Sequence, residues 1–102
     1  MSKYNDSLII KKPLDESIKL CKKAISNLKW RVLEKSSMKI VIKDEAKHIT
    51  SFTNSVKIEL LFNHITEGTE IIINGSIFGF GPQSEHLKGQ VGRFINEIET
   101  LI

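Results

Sequence analysis

An α+β two-layer sandwich is the fold this sequence predicts, with elements in the order β-α-β-β-β-β-α, a mainly antiparallel sheet and both helices on one of its faces. Three observations predict it. Apolar residues recur at three-and-four spacing from Leu14 to Leu28 and again from Leu87 to Leu101, as on helices with one buried stripe. The chain between them alternates with period two, as strands buried on one side do. Short clusters of turn-forming residues separate these stretches, which favours hairpins over crossover connections. Two singly striped helices need one sheet face to bury against.

The elements follow in order. A short strand is expected at Ser7 to Lys11, with Leu8 and Ile10 sharing a face. Pro13 suits the first turn of a helix, and Asp15 and Glu16 lie near its positive end. Leu14, Ile18, Cys21, Ala24, Ile25 and Leu28 form its apolar stripe. From Trp30 the period becomes two: Trp30 and Val32, then Met38, Ile40 and Ile42, with Ser36-Ser37 as the hairpin turn. A polar loop runs from Asp44 to Ser55, with Ile49 and Phe52 candidates to dip toward the core. Val56, Ile58, Leu60 and Phe62 give a clean inward phase; Thr66 to Thr69 turn the chain; Ile71, Ile73 and Ile77 continue inward. The closing helix is expected to bury Leu87, Val91, Phe94, Ile95, Ile98 and Leu101, with Ser84 as N-cap.

The run from Ser7 through Pro13 into a helix, then a tryptophan-led strand and a meander, resembles a shortened helix-grip layout. Ser51-Phe52, Val56-Lys57-Ile58-Glu59, Gly68-Thr69-Glu70-Ile71 and the Gly79-Phe80-Gly81-Pro82 run before a helix are similar to small bacterial domains of uncharacterised function. The resemblance implies a fold and no activity. Larger helix-grip proteins enclose an apolar ligand cavity. This chain lacks their extra strands and long C-terminal helix, so a roomy cavity is not expected.

A chain of 102 residues reads as one domain, residues 1–102. Hydrophobic content of 40% and charged content of 26% are ordinary for globular proteins. The longest apolar run is three residues, too short to span a bilayer, so no membrane insertion is expected. Nothing behind Met1 has the apolar core of a signal peptide, and a single cysteine suits a reducing setting. A cytoplasmic location is the expectation. Charge is uneven: residues 1–51 hold twelve Lys+Arg against six Asp+Glu, or +6, while residues 52–102 hold three against six, or −3. The basic half is almost all lysine, mixed with acids, which is poor equipment for bidentate phosphate or guanine contacts. Nucleic-acid binding through it is the weaker alternative.

Catalytic equipment is sparse. Cys21 falls within an apolar stripe, where a thiol behaves as a small hydrophobe. His48, His64 and His86 lack metal-ligand spacing, and Glu45 and His48 would share a face only on a helix. No carboxylate pair and no nucleophile elbow stand out. Neither metal nor cofactor is expected, and no enzyme.

The glycine loop before the last helix is the candidate ligand site. Gly79 and Gly81 permit positive φ, and the N–H groups around Ser84 and His86 would face an anion. The lysine and third glycine of phosphate loops are missing and Glu85 would repel, so a structural corner is the competing reading. Gly75 suggests a bulge or a close backbone approach. Gly89 and Gly92 cost about 1 kcal/mol each against alanine inside a helix; they mark a weak exposed helix or the approach of a partner's backbone. Val41, Leu61 and Ile72 fall on the outward strand phase as a candidate apolar interface. The expectation is a small non-catalytic interaction module that binds a protein partner or its own copy. The alternative is a small ligand, an anion at the glycine loop or an apolar molecule between helix and sheet.

Overall fold

Inward alternation of the strands and the stripes of the helices meet in one core, on one face of an open sheet whose strand order follows from register. The computed structural model describes residues 2–44, 55–77 and 84–102. Its elements are β1 (Ser2–Ile10), α1 (Leu14–Leu28), β2 (Arg31–Lys35), β3 (Lys39–Lys43), β4 (Val56–Ile65), β5 (Gly68–Ile77) and α2 (Ser84–Leu101). They form a five-stranded sheet in the order β1-β5-β4-β3-β2, antiparallel at every junction. This is the predicted α+β arrangement in the predicted order.

Cys21, Ala24 and Ile25 of α1 and Leu87, Val91, Phe94 and Ile98 of α2 share a single core with the inward strand residues. Both helices therefore cover the same face. They lie over β1, β5 and β4, and Asn27 Nδ2 donates to Glu97 Oε1 at 3.0 Å between them. β2 lies beyond this cover. Val32, inward by phase, consequently stays 48% exposed, as does Leu33 in the bulge beside it. Trp30 escapes that fate. Lys29 takes a left-handed φ of 59° to end α1, Trp30 N–H donates to Ile25 O at 3.1 Å, and the indole stacks 6.4 Å from the Phe94 ring.

Two glycines let segments pass closely. A Cβ on Gly68, at φ +144°, would run into Ile10 O and the Lys11–Lys12 backbone, where the chain leaving β1 passes the β4–β5 turn. A Cβ on Gly75 would meet Leu87 Cδ1 and Val91 Cγ2, each at 2.9 Å. The close approach expected at Gly75 is thus α2 settling onto β5, without a bulge in the ladder.

Three details differ from the sequence expectation. β1 starts at Ser2 rather than Ser7, because its whole length pairs with β5 although Asn5-Asp6-Ser7 carries no apolar signal. The β2–β3 turn spans Ser36 to Met38, closed by Ser36 N–H to Lys39 O at 2.8 Å, and is longer than a Ser-Ser turn. Ser84 is the first helical residue of α2. Ile49 and Phe52 lie outside the described residues.

Candidate functional site

Of the glycine-loop candidates, Gly79 and Gly81 lie outside the described residues, while Ser84 and His86 sit on the first turn of α2. The anion that this end of α2 meets is the chain's own. Asp44 continues the inward phase of Ile40 and Ile42 and ends up 6% exposed. Its Oδ1 accepts from Val56 N–H at 2.7 Å and its Oδ2 from Gln90 Nε2 at 2.7 Å, with His86 Nε2 3.9 Å away. Gln90 Oε1 in turn accepts from Arg93 Nη1 at 3.2 Å, and the Arg93 guanidinium lies 5.8 Å over the Trp30 ring.

This cluster has a clear structural task. Asp44 N–H donates to Val56 O at 3.0 Å, so the residue joins β3 to β4 with both backbone and side chain while tying them to α2. A buried carboxylate tolerates its surroundings only with such donors. An external anion beside His86 would face Asp44, which disfavours the anion reading of this corner. By sequence Asp44 reads as the start of a polar loop, and Gln90 and Arg93 carry no signal of their own. The available signal was phase: an acid at the position after Ile40 and Ile42 needs a buried donor.

Cys21 is fully buried, and burial pushes its thiol up from 9.0 to about 12. Such a thiol is neither a nucleophile nor a ready metal ligand. Lys22, on the exposed side of α1, has its pKa lowered by a hydrogen bond to Lys35, then by desolvation and the like charges of Lys35 and Lys19.

The helix-free face carries the three interface candidates, and one needs correction. Val41 is 3% exposed: it lies between Glu34 and Glu59 in register, and Lys39 spans these acids at 3.5 and 3.7 Å. The charged side chains around it roof the valine over. Leu61 and Ile72 are directly opposite each other on β4 and β5 and stay partly exposed. The open apolar area is this pair together with Ile9 of β1, 49% exposed and diagonal to Ile72. Around it Asn74 Nδ2 donates to Glu59 Oε1 at 3.1 Å, and a groove of about 420 Å³ opens along Lys3, Lys57 and Ser76.

Gly89 and Gly92 face open space, since a Cβ on either would meet nothing within 4 Å. Among the described residues none uses the room they leave. At the sheet margin, Val32, Leu33 and, in the turn, Met38 are exposed on the β2–β3 hairpin. The bulge between Val32 and Glu34 and the charges of Arg31, Glu34 and Lys35 guard that edge against strand addition.

No family model matches the chain, and no curated protein matches it in sequence. Solved structures do match. Protein MLL2253 from Mesorhizobium loti is similar with a TM-score of 0.72 at 13% identity, covering 98% of this chain and 96% of that one. Protein CV1439 from Chromobacterium violaceum gives 0.63 at 10% identity over 100% and 98% of the two chains. Ara h 8.0201 gives 0.60 at 7% identity over 98% and 96%. The shared layout is helix-grip-like. At such identities the likeness speaks for the fold alone. No helix among the described residues is long and apolar enough to cross a membrane.

Proposed function

We propose that this chain is a small non-catalytic binding module that engages a protein partner through the helix-free face of its sheet. One observation carries the reading: both helices cover a single face, and the other presents Leu61 opposite Ile72 at its centre, partly exposed and ringed by polar and charged side chains. An apolar centre inside a polar rim is how protein interfaces are built. The groups best placed for chemistry are otherwise engaged. Asp44 has both oxygens occupied by Val56 and Gln90, and the Cys21 thiol is held neutral in the core. The space between helices and sheet is filled by Phe62, Phe94 and Trp30 with the surrounding isoleucines, which leaves the apolar-ligand alternative little to occupy.

Amide chemical shifts recorded while the protein is concentrated, and while acidic, basic and apolar peptides are added, test the reading. Perturbation is expected at Glu59, Leu61, Ile72 and Asn74, and is expected to vanish in the Leu61→Lys, Ile72→Lys double variant. Perturbation confined to the helices, or silence under every condition, overturns it.

A further inference from the structure

The strand register builds something on the helix-free face that the sequence does not display. Lys3 pairs with Ser76, Ser76 with Lys57, Lys57 with Lys43 and Lys43 with Arg31. These residues come from five strands and, in sequence, lie far apart. In space they form one straight row across the whole sheet, on the outward phase, with the four cations exposed. At about 4.8 Å between strands the row is about 19 Å long.

Such a row works against the fold. Like charges directly opposite each other on neighbouring strands are destabilising, and Arg31, Lys43 and Lys57 occupy three adjacent strands in this way. Among the described residues none of the four is in an ion pair, and the acids one row along, Glu34 and Glu59, are both engaged by Lys39. The groove of about 420 Å³ lies at the Lys3–Lys57 end, where these two lysines flank Ser76, Asn5 and Asn74 form the side, and Glu59, already held by Lys39 and by Asn74 Nδ2, borders it one row along. Hydrogen-bond donors and two cations around a concave floor suit carboxylate groups from outside.

We infer that the row is the docking site for an acidic segment of a protein partner, whose carboxylates meet Lys3, Lys57, Lys43 and Arg31. The inference rests on the helix-free face being the binding surface, and names what it binds. Charge complementarity sets the sign of the partner. Its class follows from what else the face offers. Leu61 and Ile72 lie four residues along β4 and β5 from the row, about 13 Å away, so an apolar side chain beside the acids finds a seat. A single nucleic-acid strand finds none, because the outward positions of the described strands carry no aromatic ring on which a base could stack.

The experiment is fluorescence anisotropy with a labelled glutamate-rich peptide containing leucine, against single-stranded and duplex DNA oligonucleotides at matched salt. The peptide is expected to bind more tightly than either DNA, with affinity falling as salt rises. Reversing two row charges, Lys43→Glu with Lys57→Glu, should weaken it on the order of tenfold. The same charge change on α1, Lys19→Glu with Lys23→Glu, should leave it within about twofold. Tighter binding of DNA overturns the inference in favour of a phosphate backbone. Equal loss in both double variants, or no peptide binding at all, overturns it too. If the peptide fails while other peptides still shift Leu61 and Ile72, the broader reading stands and this one falls. If shifts map to the helices, both fall.

Discussion

Ile72 and Ile73 are neighbours in the chain and belong to different worlds. Ile73 points under α1 and α2 and is completely buried; Ile72 points the other way, opposite Leu61, and remains partly exposed. The face beneath the helices is apolar at nearly every position, and Gly75 is there because α2 needs the room. The opposite face mixes lysines, acids, amides and a few aliphatics without a packing rule to dictate them. Residues on the covered face answer to the fold. Those on the bare face are free to answer to something else.

Matched truncations give the largest test of that contrast. Ile73→Ala should lose about 3–4 kcal/mol of unfolding free energy, the cost of a cavity in a closed core. Ile72→Ala should lose about 1 kcal/mol or less, since solvent and neighbours already share its side chain. Urea denaturation of the two variants measures both. Similar losses would mean that the bare face is also sealed in the folded protein, and the contrast would fail.

Asp44 is the buried acid of the covered layer and sharpens the same point. Asp44→Ala should cost about 2–4 kcal/mol by leaving Val56 N–H and Gln90 unpaired in the interior. Asp44→Asn keeps one acceptor and should cost less, and Gln90→Ala combined with Asp44→Ala should cost less than the two losses summed. Strict additivity in that cycle would show that the 2.7 Å contact between them contributes nothing to stability.

How much of this could be read in the sequence follows from the same division. Period two in Val56, Ile58, Leu60 and Phe62 and three-and-four spacing in the helices reveal the covered layer, because burial imposes a local pattern. β1 was legible only at Leu8 and Ile10, since the ladder that orders Ser2 to Ser7 is made with β5, some seventy residues further on. Val41 was misjudged for a similar reason. Its phase is outward, but its roof is Glu34 and Glu59 from the two neighbouring strands, bridged by Lys39 of its own. The cation row could not be seen at all from Lys3, Arg31, Lys43 and Lys57 as separate letters. Register is a long-range property, and pattern is a short-range one.

Cys21 offers a smaller effect with a definite sign. Its thiol titrates near 9.0 when exposed and at about 12 in the fold, so the folded state holds the proton longer. The resulting stability is fully present below pH 9.0 and is lost as pH rises toward the folded value of about 12. By one unit above the exposed value the loss is about 1.4 kcal/mol. Thermal melts of the parent and Cys21→Ala across this window isolate the thiol's share from that of tyrosine and lysine. Parallel curves would show that Cys21 is open to solvent, as would rapid reaction of the folded protein with a thiol reagent.

The smallest expected effect bears most on function. If the cation row exists for a partner and not for the fold, removing a charge from it should make the isolated protein slightly more stable. Lys57→Glu places an acid opposite Lys43 and across Ser76 from Lys3, so repulsion at the centre of the row becomes attraction. Cross-strand pairs of this kind are worth roughly 0.2–1 kcal/mol. The gain should shrink at high salt, because the residue is exposed and the interaction is screened. The same substitution should weaken binding of an acidic peptide. Stability and binding moving in opposite directions on one substitution is the mark of a residue kept for a partner. A loss of stability in Lys57→Glu would mean that the lysines are accommodated by the sheet itself, and the bare face would owe as much to the fold as the covered one.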